Sequence, residues 1–228
     1  LQIDNPMTPP HWALLQRELI RAETLACREF FAHYFDERGY LICVPRWGGD
    51  DGPDDAAENL LNWTMLHALG APDEVLDLYK KGWEGHLRQY TEEKTVDVPM
   101  GREGMYYKEF PVMFDWVHNG EGLTTFNLHG LMDPTARYFD PAGRRPGIPE
   151  GVGALVEKLE ADATTVTLVN TDQVDEREVV VQGGAYAEHC FDRVRVNGEA
   201  VEDLEGSAFA VRLAPGAGAQ LEIATRRY

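Results

Sequence analysis

Cysteine is scarce in this sequence, and its spacing excludes two common uses. Only three cysteines occur in 228 residues, Cys27, Cys43 and Cys190. Their wide separation fits neither a disulfide framework nor a zinc-binding motif, so we interpret them as mostly buried thiols. HExxH, P-loop, Gly-x-Gly-x-x-Gly and Gly-x-Ser-x-Gly patterns are also missing, which removes the usual signals of zinc proteases, nucleotide-binding proteins and serine hydrolases.

Positive charge is also in short supply. Lysine and arginine number 21 against 39 aspartates and glutamates, and the formal net charge is -18 at pH 7. An acidic protein repels nucleic acid and anionic membranes, so we expect neither as a partner. No apolar run approaches the roughly 20 residues of a membrane-spanning helix. The sequence starts at Leu1 without the pattern of a signal peptide, and the expected compartment stays open, secretion and the periplasm included.

The sequence does contain enough apolar residues, 43%, to bury a core. In the first half they recur every three or four positions, which predicts a long helix over 11–37 that ends before Gly39. Similar signals predict a second helix over 53–69, a third over 72–94 and a fourth over 122–132.

The pattern changes after residue 133. Proline, glycine and arginine dominate the following residues, as in a linker. Further on, β-rich runs recur at short spacing, separated by turn residues such as Asn197-Gly198. The sequence therefore predicts a helical domain over 1–133, a linker over 134–160 and an antiparallel β-sandwich over 161–228.

Side chains that can take part in catalysis or binding are concentrated between Gly104 and Asp133. Aromatic, acidic, basic and amide residues crowd together there, just before the predicted fourth helix, and such an arrangement favours a catalytic site. The alternative interpretation is a well-packed loop whose tyrosines and tryptophan fill core space.

The order of elements resembles the (α/α) toroid enzymes that act on polysaccharides, several of which carry a C-terminal β-domain. The local runs that look like a large bacterial group of such proteins are WGGDDGPDDAAENLLNW, WEGHLRQYTEEKT and MYYKEFPVMFDWVHNGEGLTTFNLHGL. The resemblance implies an α+β protein with an incomplete (α/α) toroid followed by an antiparallel β-sandwich, and a carbohydrate substrate. About two helical hairpins are visible, too few to close a ring. An incomplete ring would expose apolar helix faces, which favour oligomerisation.

In such toroids the pocket lies inside the ring, beside the starts of the inner helices. The second and fourth predicted helices would be inner ones, and their approach segments bring two acidic groups from separate hairpins. The first segment holds Arg46, Trp47, Asp50, Asp51, Asp54, Asp55 and Glu58, and the second holds Tyr106, Tyr107, Asp115, Trp116, His118, Asn119 and Glu121.

Glycoside hydrolysis needs one carboxylic acid to protonate the leaving oxygen and a second carboxylate to activate water or to attack. We predict that Asp51 or Asp54 forms this pair with Glu121, while Trp47 and Trp116 stack against sugar rings. The predicted catalytic residues are Asp51, Asp54, Glu121, Tyr107 and His118, and the predicted substrate-binding residues are Arg46, Trp47, Tyr106, Trp116 and Asn119.

Two other interpretations stay open for the same residues. A polysaccharide lyase would use Tyr106, Tyr107 and His118 for proton transfer, with Asn119, Arg46 and Arg102 against the uronate carboxylate, although the dense acids would repel a uronate. A truncated copy of a toroid would instead serve as a non-catalytic sugar-binding or scaffold piece.

The aspartates before the second helix also have a structural and a metal-binding interpretation. They suit a helix cap and complement the helix dipole. Asp50, Asp51, Asp54 and Asp55 would also offer oxygen ligands to calcium, but they lack the spacing of an EF-hand loop. No cofactor is therefore expected, and calcium is kept as the alternative.

Overall fold

The computed structural model describes residues 1–40, 60–92, 136–160, 162–184 and 187–227. Within these ranges the helices are α1 (His11–Tyr34), α2 (Trp63–Ala68) and α3 (Asp73–Glu92). The strands are β1 (Gln2–Ile3), β2 (Ala136–Asp140), β3 (Arg145–Pro146), β4 (Val152–Leu159), β5 (Ala163–Asn170), β6 (Arg177–Gly183), β7 (His189–Val196), β8 (Glu199–Gly206), β9 (Ala208–Leu213) and β10 (Gly218–Arg227). None of the helices in these ranges has the length and apolar character needed to cross a membrane.

The contacts divide the chain into two units. The first unit comprises Leu1–Ala22, Ala68–Ala71 and Asp133–Tyr228, and the second comprises Glu23–His67 and Pro72–Met132. Helix α1 thus contributes its first half to one unit and its second half to the other.

The strands of the first unit form two sheets of five strands each. The first sheet has the order β1-β9-β6-β2-β3, and the second has the order β4-β5-β10-β7-β8. Strands β1 and β9 run parallel, whereas the other neighbouring strands run antiparallel. Antiparallel sheets commonly bury one face and expose the other, and both sheets follow that rule.

One hydrophobic core lies between the two sheets. The first sheet contributes Val179 and Val211, and the second contributes Leu168 and Leu221, all with 0% exposure. Along β6 and β10 the buried residues recur at every second position, Val179 with Val181 and Leu221 with Ile223, as the two-residue period of a strand requires. Each such side chain stabilises the fold by about 1.5–3 kcal/mol relative to an exposed one.

The first half of α1 covers the edge of the second sheet at β4. The side-chain amide of Gln16 donates to the carbonyl of Ala154 and accepts from its N–H, both at 3.2 Å. Buried Ala13 faces Gly153, where an added Cβ would lie 3.0 Å from the Ala13 methyl. The helix therefore satisfies backbone groups that an open sheet edge would leave unpaired.

Two arginines of the first unit hold the short segment 68–71. Arg17 donates to the carbonyl of Leu69 at 2.6 Å, and Arg145 donates to the carbonyl of Ala71 at 2.7 Å. The backbone N–H of Ile148 also donates to the carbonyl of Ala68 at 2.9 Å. Burial lowers the pKa of Arg17 to about 10, so its guanidinium stays charged at neutral pH.

The second unit is held by aromatic packing. The rings of Phe31 and Phe35, near the end of α1, stack with centroids 4.4 Å apart. Phe30 meets Trp63 of α2 edge to face at 6.3 Å. Helix α3 begins after Pro72 with Asp73 and Glu74 in its first turn, where negative charge complements the helix dipole.

The predicted (α/α) toroid is wrong. The described residues are mostly β, with two five-stranded sheets and three helices, and this arrangement conflicts with a domain of helical hairpins. Helices α1, α2 and α3 do form within the predicted first, second and third helices, but their periodicity alone carried no information about what they pack against. The predicted fourth helix, over 122–132, lies outside the described residues.

The stretch 134–160 differs from the expected linker because it contains β2, β3 and β4. Pro141 and Gly143 lie in the turn between β2 and β3, and Gly147 and Gly151, between β3 and β4, have φ values of 111° and 82°. Strand β1 spans only two residues, too few for any alternating pattern to appear in the sequence.

Asn170 is the polar residue on which the first unit most visibly depends. It has 0% exposure, and its amide nitrogen donates to the carbonyls of Asp175 at 2.9 Å, Leu213 at 3.2 Å and Ala214 at 3.1 Å. Its amide oxygen accepts from the N–H of Asp172 at 3.0 Å. One side chain thus ties the end of β5 to the end of β9.

Replacing Asn170 by Asp should destabilise the protein by about 3 kcal/mol or more at pH 7, because a buried carboxylate would face three carbonyl oxygens. The pKa of the introduced carboxyl should rise above its unfolded value of about 3.9. The penalty should therefore be full at neutral pH and decrease as pH falls below that folded-state pKa. Denaturant unfolding from pH 7 to pH 4 measures it.

The matched control for this change is Asn197→Asp. The side-chain oxygen of Asn197 accepts from the N–H of Gln220 at 3.0 Å in an exposed turn, and a carboxylate keeps that acceptor. An Asn170→Asp variant as stable as this control at pH 7 would contradict the role given to the buried amide.

Candidate functional site

The residues predicted to carry catalysis and binding lie outside the described residues. Arg46, Trp47, Asp50, Asp51, Asp54 and Asp55 fall in residues 41–59, and Tyr106, Tyr107, Trp116, His118, Asn119 and Glu121 fall in residues 93–135. We call these ranges the acidic segment (41–59) and the aromatic segment (93–135). The pairing of Asp51 or Asp54 with Glu121, and the calcium alternative, stay predictions.

The described residues do define where the acidic segment begins. Gly39 adopts a φ of 79° and lies against α3 so closely that a Cβ added to Gly85 would overlap the Gly39 carbonyl group. A Cβ added to Gly39 would in turn meet the carbonyl of Lys81. Only a residue without a side chain fits on either side of this contact.

Leu60, which follows the acidic segment, packs against α3 about one helical turn before Gly85. Leu60 has 0% exposure, and its Cδ2 lies 2.9 Å from the place of a Cβ on Gly82. Phe31 and Phe35 border the same position, each 3.4 Å from it. Both flanks of the acidic segment therefore pack against the Lys81–Gly85 turn of α3, which we call the glycine base.

Asp36 fixes the backbone just before the acidic segment. One carboxylate oxygen accepts from the N–H groups of Arg38 and Tyr40, both at 2.9 Å, and the other accepts from the Arg38 side chain at 2.8 Å. Burial alone would raise the pKa of Asp36, but hydrogen bonds from Tyr40 and Arg38 outweigh it and lower the pKa. The carboxylate is therefore ionised at neutral pH and holds Tyr40, which is 4% exposed.

Arg38 and Arg88 add further contacts to the turn before the acidic segment. The Arg38 guanidinium lies over the Tyr40 ring, 4.0 Å from its centroid, in the geometry of a cation–π contact. Arg88 of α3 donates to the Arg38 carbonyl at 2.7 Å. The chain leaves α1 and reaches the acidic segment through a turn that is fixed from both sides.

Two buried histidines belong to the second unit. Burial lowers the pKa of His86 to about 3, and the residue is 1% exposed, so its imidazole is neutral at physiological pH. His67 of α2 lies 2.9 Å from the carboxylate of Asp73 at the start of α3. Both fit the role of packing residues. Among the described residues, no three or more His, Cys, Asp or Glu side chains are placed to hold a metal ion.

The first unit carries an open cleft of about 700 Å³ on the outer face of its second sheet. Strands β4, β5, β10 and β7 form its floor. Its polar lining includes Lys158, Thr165, Arg193, Arg195, Gln220 and Glu222. None of the described residues that line it is aromatic, so these residues would hold a bound ligand mainly by hydrogen bonds and charge.

Sequence reasoning missed both the glycine base and the cleft. The signal for the first was the pair Gly82 and Gly85 inside a predicted helix, because helix-interior glycines cost about 1 kcal/mol each relative to alanine and usually mark a close contact. The cleft had no comparable signal. Its polar residues are the outward-facing half of ordinary strands.

The comparison with known families bears on both segments. A family profile described as a domain of unknown function (DUF8034) matches residues 2–146, which is more than half of the chain. The chain belongs to the DUF8034 family. The matched range of this DUF8034 protein includes the acidic segment, the aromatic segment and the glycine base. No curated protein and no solved structure matches the chain.

Replacing Gly85 by Ala should destabilise the second unit of this DUF8034 protein by about 1–3 kcal/mol, because the new methyl group meets rigid backbone and overpacking has that cost. Gly82→Ala should cost less, since its methyl group meets the movable end of the Leu60 side chain. Thermal unfolding measures both. Glu84→Ala, at an exposed position of the same helix, is the control, and equal melting temperatures for all three variants would contradict the glycine base.

Replacing Asp36 by Asn should lower stability at pH 7 by about 1–2 kcal/mol, because hydrogen bonds to a charged acceptor are stronger than those to a neutral one. The folded-state pKa of Asp36 is lowered from its ordinary value of 3.8. Its contribution is thus complete above pH 3.8 and is lost as pH falls through the folded-state pKa.

The difference in unfolding free energy between the natural protein and Asp36→Asn should therefore stay constant from pH 7 to pH 5 and shrink below about pH 4. Asp77→Asn, at an exposed position of α3, is the control. A difference for Asp36→Asn that is as large at pH 3 as at pH 7 would show that the charge is not what holds Tyr40.

Proposed function

We propose that this protein acts on a carbohydrate chain and hydrolyses its glycosidic bonds with paired carboxylates from the acidic and aromatic segments. The observation that carries the proposal is the composition of these two segments. Each combines carboxylates with tryptophan, Asp51, Asp54 and Trp47 in the first and Glu121 and Trp116 in the second.

The chemistry requires two carboxyl groups in different protonation states. One donates a proton to the leaving oxygen, and the other activates water or attacks the sugar carbon. Residues from separate parts of the chain are suited to this, because their environments can differ enough to separate their pKa values. Asp51 or Asp54 would supply one group and Glu121 the other.

The glycine base supports this role for the acidic segment. Binding and catalytic residues are frequent on connecting segments that a rigid scaffold positions. Gly39 and Leu60, on either side of the acidic segment, pack against one turn of α3, and Asp36 fixes the approach. A segment with both ends held at one point can present side chains without being part of the core.

The acidity of the chain favours hydrolysis of a neutral carbohydrate over elimination from a uronate. The formal charge of -18 works against binding of a polyanion. A lyase using Tyr107 and His118 would have to overcome that repulsion locally. The two reactions leave different products, which makes them separable in one assay.

The test is a screen of neutral and uronate polysaccharides that follows reducing ends and, separately, the absorbance of an unsaturated product. Release of reducing ends without that absorbance is expected. Glu121→Gln should then lower the rate about 100-fold to 10,000-fold, the usual contribution of a general acid or base. Asp51→Asn and Asp54→Asn are tested singly, and at least one of them should have an effect of the same size.

Glu29→Gln on the exposed side of α1 is the control and should keep full activity. Formation of an unsaturated product would reject the hydrolase and favour the lyase. Full activity of Glu121→Gln, or no product from any polysaccharide, would reject the proposed hydrolysis.

A further inference from the structure

We propose that the cleft on the outer face of the second sheet binds a segment of a neutral carbohydrate chain, as a site separate from the acidic and aromatic segments. The inference rests on the proposed function for its class of ligand. Its location and its preference for a neutral chain come from the described side chains of the first unit alone.

The shape of the cleft suits a short length of polymer. It crosses four neighbouring strands, β4, β5, β10 and β7. Neighbouring strands lie 4.7–4.9 Å apart, so the floor extends over about 14 Å. A volume of about 700 Å³ is in the range of small-ligand sites. The cleft is open to solvent along the sheet face, so a chain can enter it without threading an end.

The charges in the cleft balance. Among the described residues of its lining are three cationic side chains, Lys158, Arg193 and Arg195, and three carboxylates, Glu157, Glu160 and Glu222. Equal numbers of opposite charges give no net attraction to a polyanion or a polycation. The ligand class that this balance favours is neutral and polar.

Most of these charges already have partners. Lys158 pairs with Glu160 at 2.8 Å, and Arg193 pairs with Asp203 at 3.0 Å. Glu157 accepts hydrogen bonds from the Thr167 hydroxyl and, at 2.8 Å, from the Gln220 amide. Each of these side chains is thus already engaged by a partner within the protein.

Two charged groups in the middle of the cleft are different. Glu222 on β10 and Arg195 on β7 are register partners, and within the described part of the protein neither makes a side-chain hydrogen bond or an ion pair within 4 Å. Glu222 still acts at longer range, because the raised pKa of Lys158 has Glu160 as its main cause and the charge of Glu222 as a smaller one. Both are exposed. Thr165 on β5 is the register partner of Glu222 on its other side.

The row Thr165, Glu222 and Arg195 therefore presents a hydroxyl, a carboxylate and a guanidinium on three adjacent strands. A sugar hydroxyl both donates and accepts, so one sugar ring can donate to Glu222 while accepting from Arg195. Hydrogen bonds to charged groups are the stronger ones. Without an aromatic surface for stacking, affinity should be low, and the gain would come from keeping a polymer close to the hydrolytic site.

The experiment uses the full chain in affinity electrophoresis through gels that contain soluble starch, mixed-linkage β-glucan, galactomannan or polygalacturonate. Retardation by at least one neutral polymer is expected, and none by polygalacturonate. The double variant Arg195→Ala with Glu222→Ala should weaken retardation at least five-fold. Circular dichroism melting establishes that each variant is folded.

The first sheet offers a matched control. Arg212 and Glu178 are also an arginine and a glutamate in register on neighbouring strands, and they pair at 3.1 Å outside the cleft. The double variant Arg212→Ala with Glu178→Ala should be retarded like the natural protein. A second cleft variant, Thr165→Val, keeps the side-chain shape and removes the hydroxyl, and it should weaken retardation by a smaller factor.

The outcomes separate this inference from the proposed hydrolysis. Unchanged retardation in the Arg195 and Glu222 variant, or retardation by polygalacturonate alone, overturns the cleft as a neutral carbohydrate site and leaves hydrolysis standing if reducing ends are still released. Loss of retardation with continued hydrolysis of short oligosaccharides supports the cleft. Release of reducing ends by a natural protein that no gel retards overturns the cleft alone. Neither retardation nor release overturns both.

Discussion

Burial of the inner faces of the two sheets against each other is the interaction on which the first unit depends. Because Val179, Val211, Leu168 and Leu221 are fully enclosed, the alternate residues of the same strands must face outward. The outer face of the second sheet carries polar and charged side chains, and these side chains line the cleft. Its floor consists of strands that pack on this core, and these strands position most of its lining side chains.

In the second unit, both flanks of the acidic segment lie against the same turn of α3. Glycines allow the backbone of Gly39 to contact α3 closely, and Leu60, Phe31 and Phe35 pack around Gly82 on the same helix. The arrangement sacrifices helix propensity at two positions and gains a close contact. Asp36 then fixes the direction in which the chain leaves. Among the described residues, the flanks of the acidic segment are thus held by backbone packing at α3 and by the hydrogen bonds of Asp36.

The sequence predicted what is local and missed what is distant. Apolar spacing located α1 and α3 to within a few residues, and β-rich runs separated by turn residues marked the part of the chain that forms β5, β6, β7, β9 and β10. The sequence did not predict which elements pack against each other, because periodicity shows which face of an element is apolar and not what covers that face. Two-residue strands such as β1 and β3 carry no pattern at all. The acids and aromatics of the candidate site were visible as composition, while the cleft depends on cross-strand register, which no single strand reveals.

The parallel pairing of β1 with β9 joins position 2 to position 212, and this has a consequence for the route by which the protein forms. Contacts between residues so far apart in sequence carry a large loop-closure cost and slow folding. During synthesis, the residues of β1 emerge before those of β9 and cannot find their neighbour until β9 has left the ribosome. The edge of the first sheet is therefore completed late, and β9 exposes an unpaired side to other chains until then.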